Sequence, residues 1–187
     1  MPRKIADIRR EEIVEALRGV VARDGLNVPS YDAIATEGDM SRQLVRHYYR
    51  SPEDMAADLA KRLTVEMRND VKRTLAAADG EARLDALLET MFAFDGATDA
   101  GGGDRNALEC ALHAIARHSP KVEQAFETHL QAMRELIANE LADDDRDRHS
   151  KAEAITALVI GRNLPGSNPE GLRRVARVLA QSDLAGG

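Results

Sequence analysis

The sequence predicts an all-α protein: an N-terminal three-helix helix-turn-helix domain followed by a larger helical body, about nine helices in total. Three observations carry this expectation. Ala, Leu, Arg, Glu and Asp dominate, whereas Trp is absent and aromatics make up 3% of the chain. Apolar residues recur at spacings of three and four along most of the chain, and no stretch alternates in the way a half-buried strand requires. Within residues 30–50, two short segments that each open on Ser flank the turn Gly38-Asp39. The predicted boundary falls at residue 50, with residues 51–187 forming the body.

With 187 residues the chain is long enough for one sizeable core, or for a small domain fused to a larger one. Its single cysteine, Cys110, excludes an internal disulfide framework and fits a reducing cytoplasm. No apolar run reaches membrane-spanning length, and Met1-Pro2-Arg3-Lys4-Ile5-Ala6-Asp7 leads into no signal-peptide core. The expectation is a soluble cytoplasmic protein. The formal net charge of −6 opposes nucleic-acid affinity of the whole chain, but the charge is uneven. Residues 1–50 hold nine Lys/Arg against eight Asp/Glu, and the remainder seventeen against twenty-four. A near-neutral head on an acidic body permits DNA contact through a local face.

Residues 30–50 supply such a face. Ser30 suits an N-cap because its hydroxyl accepts from free N–H groups at a helix start. Ile34 and Ala35 give that helix a small apolar side, and Gly38-Asp39 ends it. Asp tolerates the left-handed conformation better than most residues, so Asp39 suits the turn. Ser41 then caps a second helix, on which Leu44, Val45 and Tyr48 form the core side at helical spacing. Arg42, Gln43, Arg46 and His47 are left outward. Four donors on two turns, with no acid among them, suit phosphates and base edges. A solvated polar face is the plainer reading of a bare charge run; two capped helices around a turn favour the specific one.

The other elements follow in order. Ile5, Ile8, Ile13, Leu17, Val20 and Val21 make a stripe on a first helix, residues 5–24, closed by Gly25. Arg9 and Arg10 flank it, as phosphate contacts or as ordinary solvated arginines. Pro29 prevents a helix from crossing Val28. Ser51, Pro52 and Asp54 open a long helix over 52–78, with Met55, Leu59, Leu63, Met67, Val71 and Leu75 along one side. A helix over 81–95 carries Leu84, Leu87, Leu88, Met91, Phe92 and Phe94. Residues 96–104 are glycine-rich and read as a linker or lid, because no Lys-Ser/Thr follows to make a phosphate loop.

Helices over 105–118 and 120–142 are divided at Ser119-Pro120. Cys110, His113, His118 and His129 lie in this pair. Cys110 and His113 are one turn apart, a spacing zinc or copper accepts, but no second ligand pair closes a site, so no metal or cofactor is assigned. The segment Asp143–Arg148 reads as a solvated acidic link. The last two helices, 150–163 and 169–182, form a hairpin with Ile155, Leu158, Val159 and Arg162 on one stripe and Leu172, Val175, Ala176 and Leu179 on the other. No nucleophile–base pair is apparent, and no enzymatic activity is expected.

Gly25, Ser30, Ile34-Ala35, Gly38-Asp39-Met40-Ser41, Val45-Arg46-His47-Tyr48-Tyr49 and Ser51-Pro52-Glu53-Asp54-Met55 follow one another without gaps. In this spacing residues 9–55 resemble the DNA-binding domain of TetR-family transcriptional regulators. Three positions depart from the family pattern. Asp39 stands at the turn Gly, Arg46 where a phosphate-contacting Tyr is usual, and Pro52 where a phosphate-binding Lys is common.

The resemblance implies a homodimeric one-component regulator, a repressor released from a palindromic operator by a small molecule. Its DNA-binding residues would be Ser30, Tyr31, Ser41, Arg42, Gln43, Leu44, Arg46, His47 and Tyr48, with Arg42 and Gln43 reading bases. Helix 52–78 would join head to body. An apolar effector would bind among helices carrying Met67, Met91, Phe92, Cys110, His113, Phe126 and Met133. Hairpin 150–182 would meet its two-fold mate as a four-helix bundle through Ile155, Leu158, Val159, Arg162, Leu172, Val175 and Leu179. The alternative is a helical protein-interaction or metal-binding protein with a repurposed head.

Overall fold

The computed structural model describes residues 4–25, 29–80, 82–93, 102–141, 147–164 and 166–182, of which residues 102–104 and 106 are described by their backbone alone. Among the described residues there are nine helices and no strand: α1 (Ile5–Asp24), α2 (Tyr31–Glu37), α3 (Arg42–Tyr48), α4 (Pro52–Ala77), α5 (Ala82–Phe92), α6 (Gly102–Ala116), α7 (Pro120–Glu140), α8 (Arg148–Gly161) and α9 (Pro169–Gln181). The all-helical class expected from the sequence is the class observed. No helix among the described residues is long and apolar enough to cross a membrane.

The chain divides into two compact units, one of Met1–Thr64 with Asp99–Phe126, the other of Val65–Thr98 with Glu127–Gly187. In the first unit α1 packs against α2, α3 and α6. Its buried stripe runs through Ile13, Val14, Leu17, Val20 and Val21. The core continues through Ile34, Val45, Met55, Leu59 and Leu63, and through Leu108, Leu112 and Val122. Ile5 and Ile8, which share the apolar period of α1, are exposed at 76% and 40%. Periodicity thus overstated the buried length of α1 by two turns. An ion pair at 2.6 Å between Arg23 and Glu37 ties the end of α1 to the end of α2.

The second unit has its own core of Val71, Leu75, Leu87, Leu88, Met91, Phe92, Met133, Ile137, Leu141, Ala152, Ile155, Val159, Ala176 and Ala180. Helix α9 packs on α8 and α5. Arg83 of α5 grips the Glu140 carboxylate with two nitrogens at 2.8 and 2.7 Å and donates to the Leu75 carbonyl at 2.7 Å. Arg177 and Arg173 of α9 reach Asp85 and Glu89 of α5 at 2.7 and 3.5 Å. A bidentate guanidinium fixes direction as well as distance.

Helix ends differ from the sequence reading by a few residues. Helix α6 begins at Gly102, inside the stretch expected to hold no helix. A glycine costs about 1 kcal/mol relative to alanine in a helix interior, a penalty too small to veto a first turn that the following apolar period supports. Phe94 and residues 96–101 lie outside the described residues, as do residues 143–146 of the acidic link. Asp147 and Arg148 belong instead to the start of α8.

The turn between α2 and α3 has one backbone requirement. Asp39 sits at φ 46°, in the left-handed region, where a residue with Cβ is disfavoured by roughly 1–2 kcal/mol. Asp39→Gly should therefore leave stability to urea nearly unchanged, since relief of strain is offset by glycine's larger entropy in the unfolded chain. Asp39→Val should lower it by roughly 1–2 kcal/mol. Equal stability of the two variants in urea titrations would remove this constraint.

Candidate nucleic-acid interface

The head is built by two caps. The Ser30 hydroxyl accepts from the Ala33 N–H at 3.2 Å, and the Ser41 hydroxyl accepts from the Leu44 N–H at 3.1 Å. Between them the Met40 N–H donates to the Ala35 carbonyl at 2.9 Å, closing the turn. A seven-residue helix has no stability of its own in water, so α3 depends on what it buries. Val45 is fully buried and Tyr49, just past its end, is 4% exposed. The Tyr49 hydroxyl donates to Asp58 of α4 at 3.0 Å, and the Tyr31 hydroxyl donates to the Tyr49 carbonyl at 3.3 Å. Burial, then the Asp58 charge, pushes the Tyr49 hydroxyl above the ordinary tyrosine range, so it remains a donor.

This anchoring leaves Ser41, Arg42, Gln43, Arg46 and His47 exposed and Leu44 and Tyr48 half-buried. Ser30 is exposed and Tyr31 half-buried beside them. The Arg46 guanidinium lies 5.8 Å from the centre of the Tyr31 ring, a cation–π contact joining α3 to α2. The His47 ring meets Tyr48 edge-on at 5.1 Å. One partner was not foreseen: Asp32 of α2 accepts from Arg42 Nη1 at 3.0 Å. Ten residues separate the pair, on different helices, and no sequence signal links them.

A cleft of about 640 Å³ opens beside the end of α3, lined by Arg10, Tyr48, Arg50, Asp54, Lys61 and Lys121, among others. The sequence reading had not joined these residues, which come from α1, α3, the α3–α4 link, α4 and α7. At its edge Lys121 pairs with Asp54, whose backbone N–H also donates to the Ser51 hydroxyl at 3.2 Å. The capping box expected at Ser51 is present.

The remaining candidate residues fall in both units. In the first, the His113 ring stacks on Phe126, with centres 4.0 Å apart, while Cys110 is half-buried. His113 Nε2 lies 3.8 Å from the Glu109 carboxylate. In the second, Met91, Phe92 and Met133 are core residues and Met67 is half-buried. His129 is buried and His118 exposed. Among the described residues no group of three or more His, Cys, Asp or Glu is placed to hold a metal ion.

The residues expected on the hairpin face differ in exposure. Ile155 has no exposed surface, and Val159 and Arg162 are at 9% and 4%. Ile155 and Val159 belong to the core of the second unit. Leu158, Leu172 and Leu179 are half-buried and Val175 is 53% exposed. Ile160, Leu164 and Val178 are exposed as well, although the sequence reading did not include them.

An all-helical chain with a doubly capped helix-turn-helix and an outward row of donors has the features of a DNA-binding transcriptional regulator. Comparison with known proteins agrees. The chain is 29% identical over 170 residues to the HTH-type transcriptional regulator PksA of Bacillus subtilis strain 168, covering 86% of this chain and 80% of PksA. A match to BetI of Yersinia pestis (strain Pestoides F) is 31% identical over 88 residues but spans 46% of this chain and 44% of BetI. A transcriptional regulator from Rhodococcus sp. Rha1 has the same fold, with TM-score 0.77 and 21% identity over 91% of this chain and 93% of that one. So does a TetR-family member from Streptomyces coelicolor A3, at 0.72 and 19% over 91% and 97%. The multidrug-binding protein EbrR complexed with ethidium gives 0.74 and 20% over 91% and 98%. No family model matches the chain. The chain thus has the fold of a TetR-family member and is similar in sequence to HTH-type transcriptional regulators.

The Lys121–Asp54 pair yields a pH dependence. Lys121 foremost, then Ser51, holds the Asp54 carboxyl below the usual carboxylate range, against a smaller opposing effect of burial. A depressed carboxyl stabilises the fold above its unfolded value, about 3.9, and this contribution is lost as pH falls through the lower folded value. Asp54→Asn should flatten that acid limb in thermal denaturation between about pH 5 and pH 3. Lys121→Met should flatten it too, by returning Asp54 toward its ordinary value. An unchanged acid limb in both variants would mean that the pair contributes nothing in solution.

Proposed function

We propose that the chain is a cytoplasmic, homodimeric repressor that holds a palindromic operator through residues 41–48 of each protomer and releases it when a small molecule binds the helical body. The observation that carries this reading is the exposed row Arg42, Gln43, Arg46 and His47 on a helix fixed by Val45 and Tyr49. A helix so presented enters the major groove, and two-fold symmetry then sets half-sites about one helical turn, ~34 Å, apart or a multiple of it. Arg42 and Gln43 read base edges. Ser30, Tyr31, Ser41, Leu44, Arg46, His47 and Tyr48 position the backbone or the helix itself. Arg46 takes the place of the family's tyrosine and adds charge; Pro52 removes one lysine anchor.

Dimerisation is supported by Val175, Val178, Leu164 and Ile160, exposed apolar side chains of the α8–α9 hairpin. Effector binding is supported by the fold shared with EbrR, which was crystallised with ethidium, and by the aromatic surface of the His113–Phe126 stack. An effector acts by favouring a dimer whose heads no longer match the groove spacing.

Fluorescence anisotropy on the DNA upstream of the protein's own gene, against scrambled competitor and across a salt series, tests the reading. Selective, saturable binding with a steep salt slope is expected. Arg42→Ala should relax preference at one base pair by ~1–3 kcal/mol. Arg46→Ala should weaken binding evenly across sequences and reduce the salt slope by about one. If neither changes binding, residues 41–48 do not read DNA. In light scattering, Val175→Glu with Val178→Glu should shift dimer to monomer and weaken operator binding with it; an unaltered dimer would move the interface elsewhere.

A further inference from the structure

The reading face is free of acids along α3, yet the fold brings one to it. Asp32, the second residue of α2, accepts from Nη1 of Arg42, the first residue of α3, at 3.0 Å. Both side chains are exposed, at 64% and 54%. Such a pair contributes little to stability, so the fold alone gives no reason for it. On a surface that meets phosphates, a carboxylate also opposes binding. Its placement therefore has a cost in affinity that some gain in binding must offset.

The geometry supplies that gain. A guanidinium carries five donors in a planar fork, and the contact with Asp32 involves Nη1. Nε and Nη2 remain for the two acceptors, O6 and N7, that guanine shows in the major groove. The base of the contact is itself fixed. Ser30 caps α2, the Thr36 hydroxyl donates to the Asp32 carbonyl at 2.9 Å, and Ser41 caps α3 directly before Arg42. A flexible arginine loses considerable rotamer freedom on ordering, and one held before DNA arrives loses less of it on binding.

We propose that Asp32 is a positioning residue for base recognition: it holds Arg42 across the α2–α3 turn so that the remaining edge of the guanidinium reads a guanine. This rests on the assignment of Arg42 as a base-reading residue, and the test separates the two. Asp32→Asn, Arg42→Ala and the double variant are compared with the unaltered protein on a duplex that the unaltered protein selects from a randomised pool. Duplexes with each single base pair replaced, and scrambled DNA, complete the set. Circular dichroism confirms that each variant folds, as expected for exposed positions.

Arg42→Ala should reduce discrimination at one base pair by roughly tenfold. Asp32→Asn should reduce it at the same base pair by about threefold or more, while binding to scrambled DNA stays equal or tightens. In the Arg42→Ala background, Asp32→Asn should have no further effect on base preference, because the residue acts through Arg42. If Asp32→Asn instead tightens binding to every duplex by one factor in both backgrounds, Asp32 is a repelling charge and the proposal fails while base reading by Arg42 stands. If it sharpens preference, the pair restrains Arg42 from DNA, and the proposal fails in the opposite sense. If Arg42→Ala leaves preference intact, the assignment of Arg42 falls and the role of Asp32 with it.

Discussion

The seating of α3 through Val45 and Tyr49 governs the rest of the head. Seven residues cannot sustain a helix in water, and an array of donors is useful in a groove only when its direction is fixed. Val45 supplies the buried knob, while Tyr49 adds a ring and two hydrogen bonds that reach Asp58 and Tyr31. The hydroxyl of Tyr49 is protonated at physiological pH, as any tyrosine is, and burial pushes it further above the ordinary range, so the link to α4 is a donated hydrogen bond. Everything outward on α3 takes its bearing from these contacts.

Charge follows the same logic at a larger scale. The chain is acidic, so long-range attraction does not bring it to nucleic acid; a local arrangement must. In the proposed function Arg42, Gln43, Arg46 and His47 form that arrangement, with Arg10, Arg50, Lys61 and Lys121 around the cleft beside it. Two carboxylates in the cleft, Asp54 and Asp58, are engaged by Lys121 and Tyr49, and Asp32 is engaged by Arg42. Asp54 and Asp32 are thus each paired with a cation, which keeps the field beside the face local.

The second unit uses its apolar residues more fully than their period suggests. Its core takes in Ile155 and Val159 from α8 and Ala176 and Ala180 from α9. Arg83 on Glu140 and Arg177 on Asp85 fix the helices around that core. The apolar surface left over on this hairpin is small and specific, at Ile160, Leu164, Val175 and Val178. That remainder, more than the stripes themselves, defines what a second copy would have to cover.

Sequence by itself determined the helical class, the existence of each helix and the local devices of the head. Caps at Ser30 and Ser41, the left-handed turn at Asp39 and the outward set on α3 are all decided within a few residues of chain, where spacing and side-chain chemistry act directly. The family pattern, carried by the same residues, was legible for that reason. Tertiary structure alone decided which residues of a stripe are consumed and which remain. It exposed Ile5 and Ile8, withdrew Ile155 into the core, and divided the candidate effector residues between two units. It also brought Asp32 to Arg42 and Lys121 to Asp54, across 10 and 67 positions. Helical period states that a face is apolar or charged, but only the packing of other helices against it fixes what that face meets.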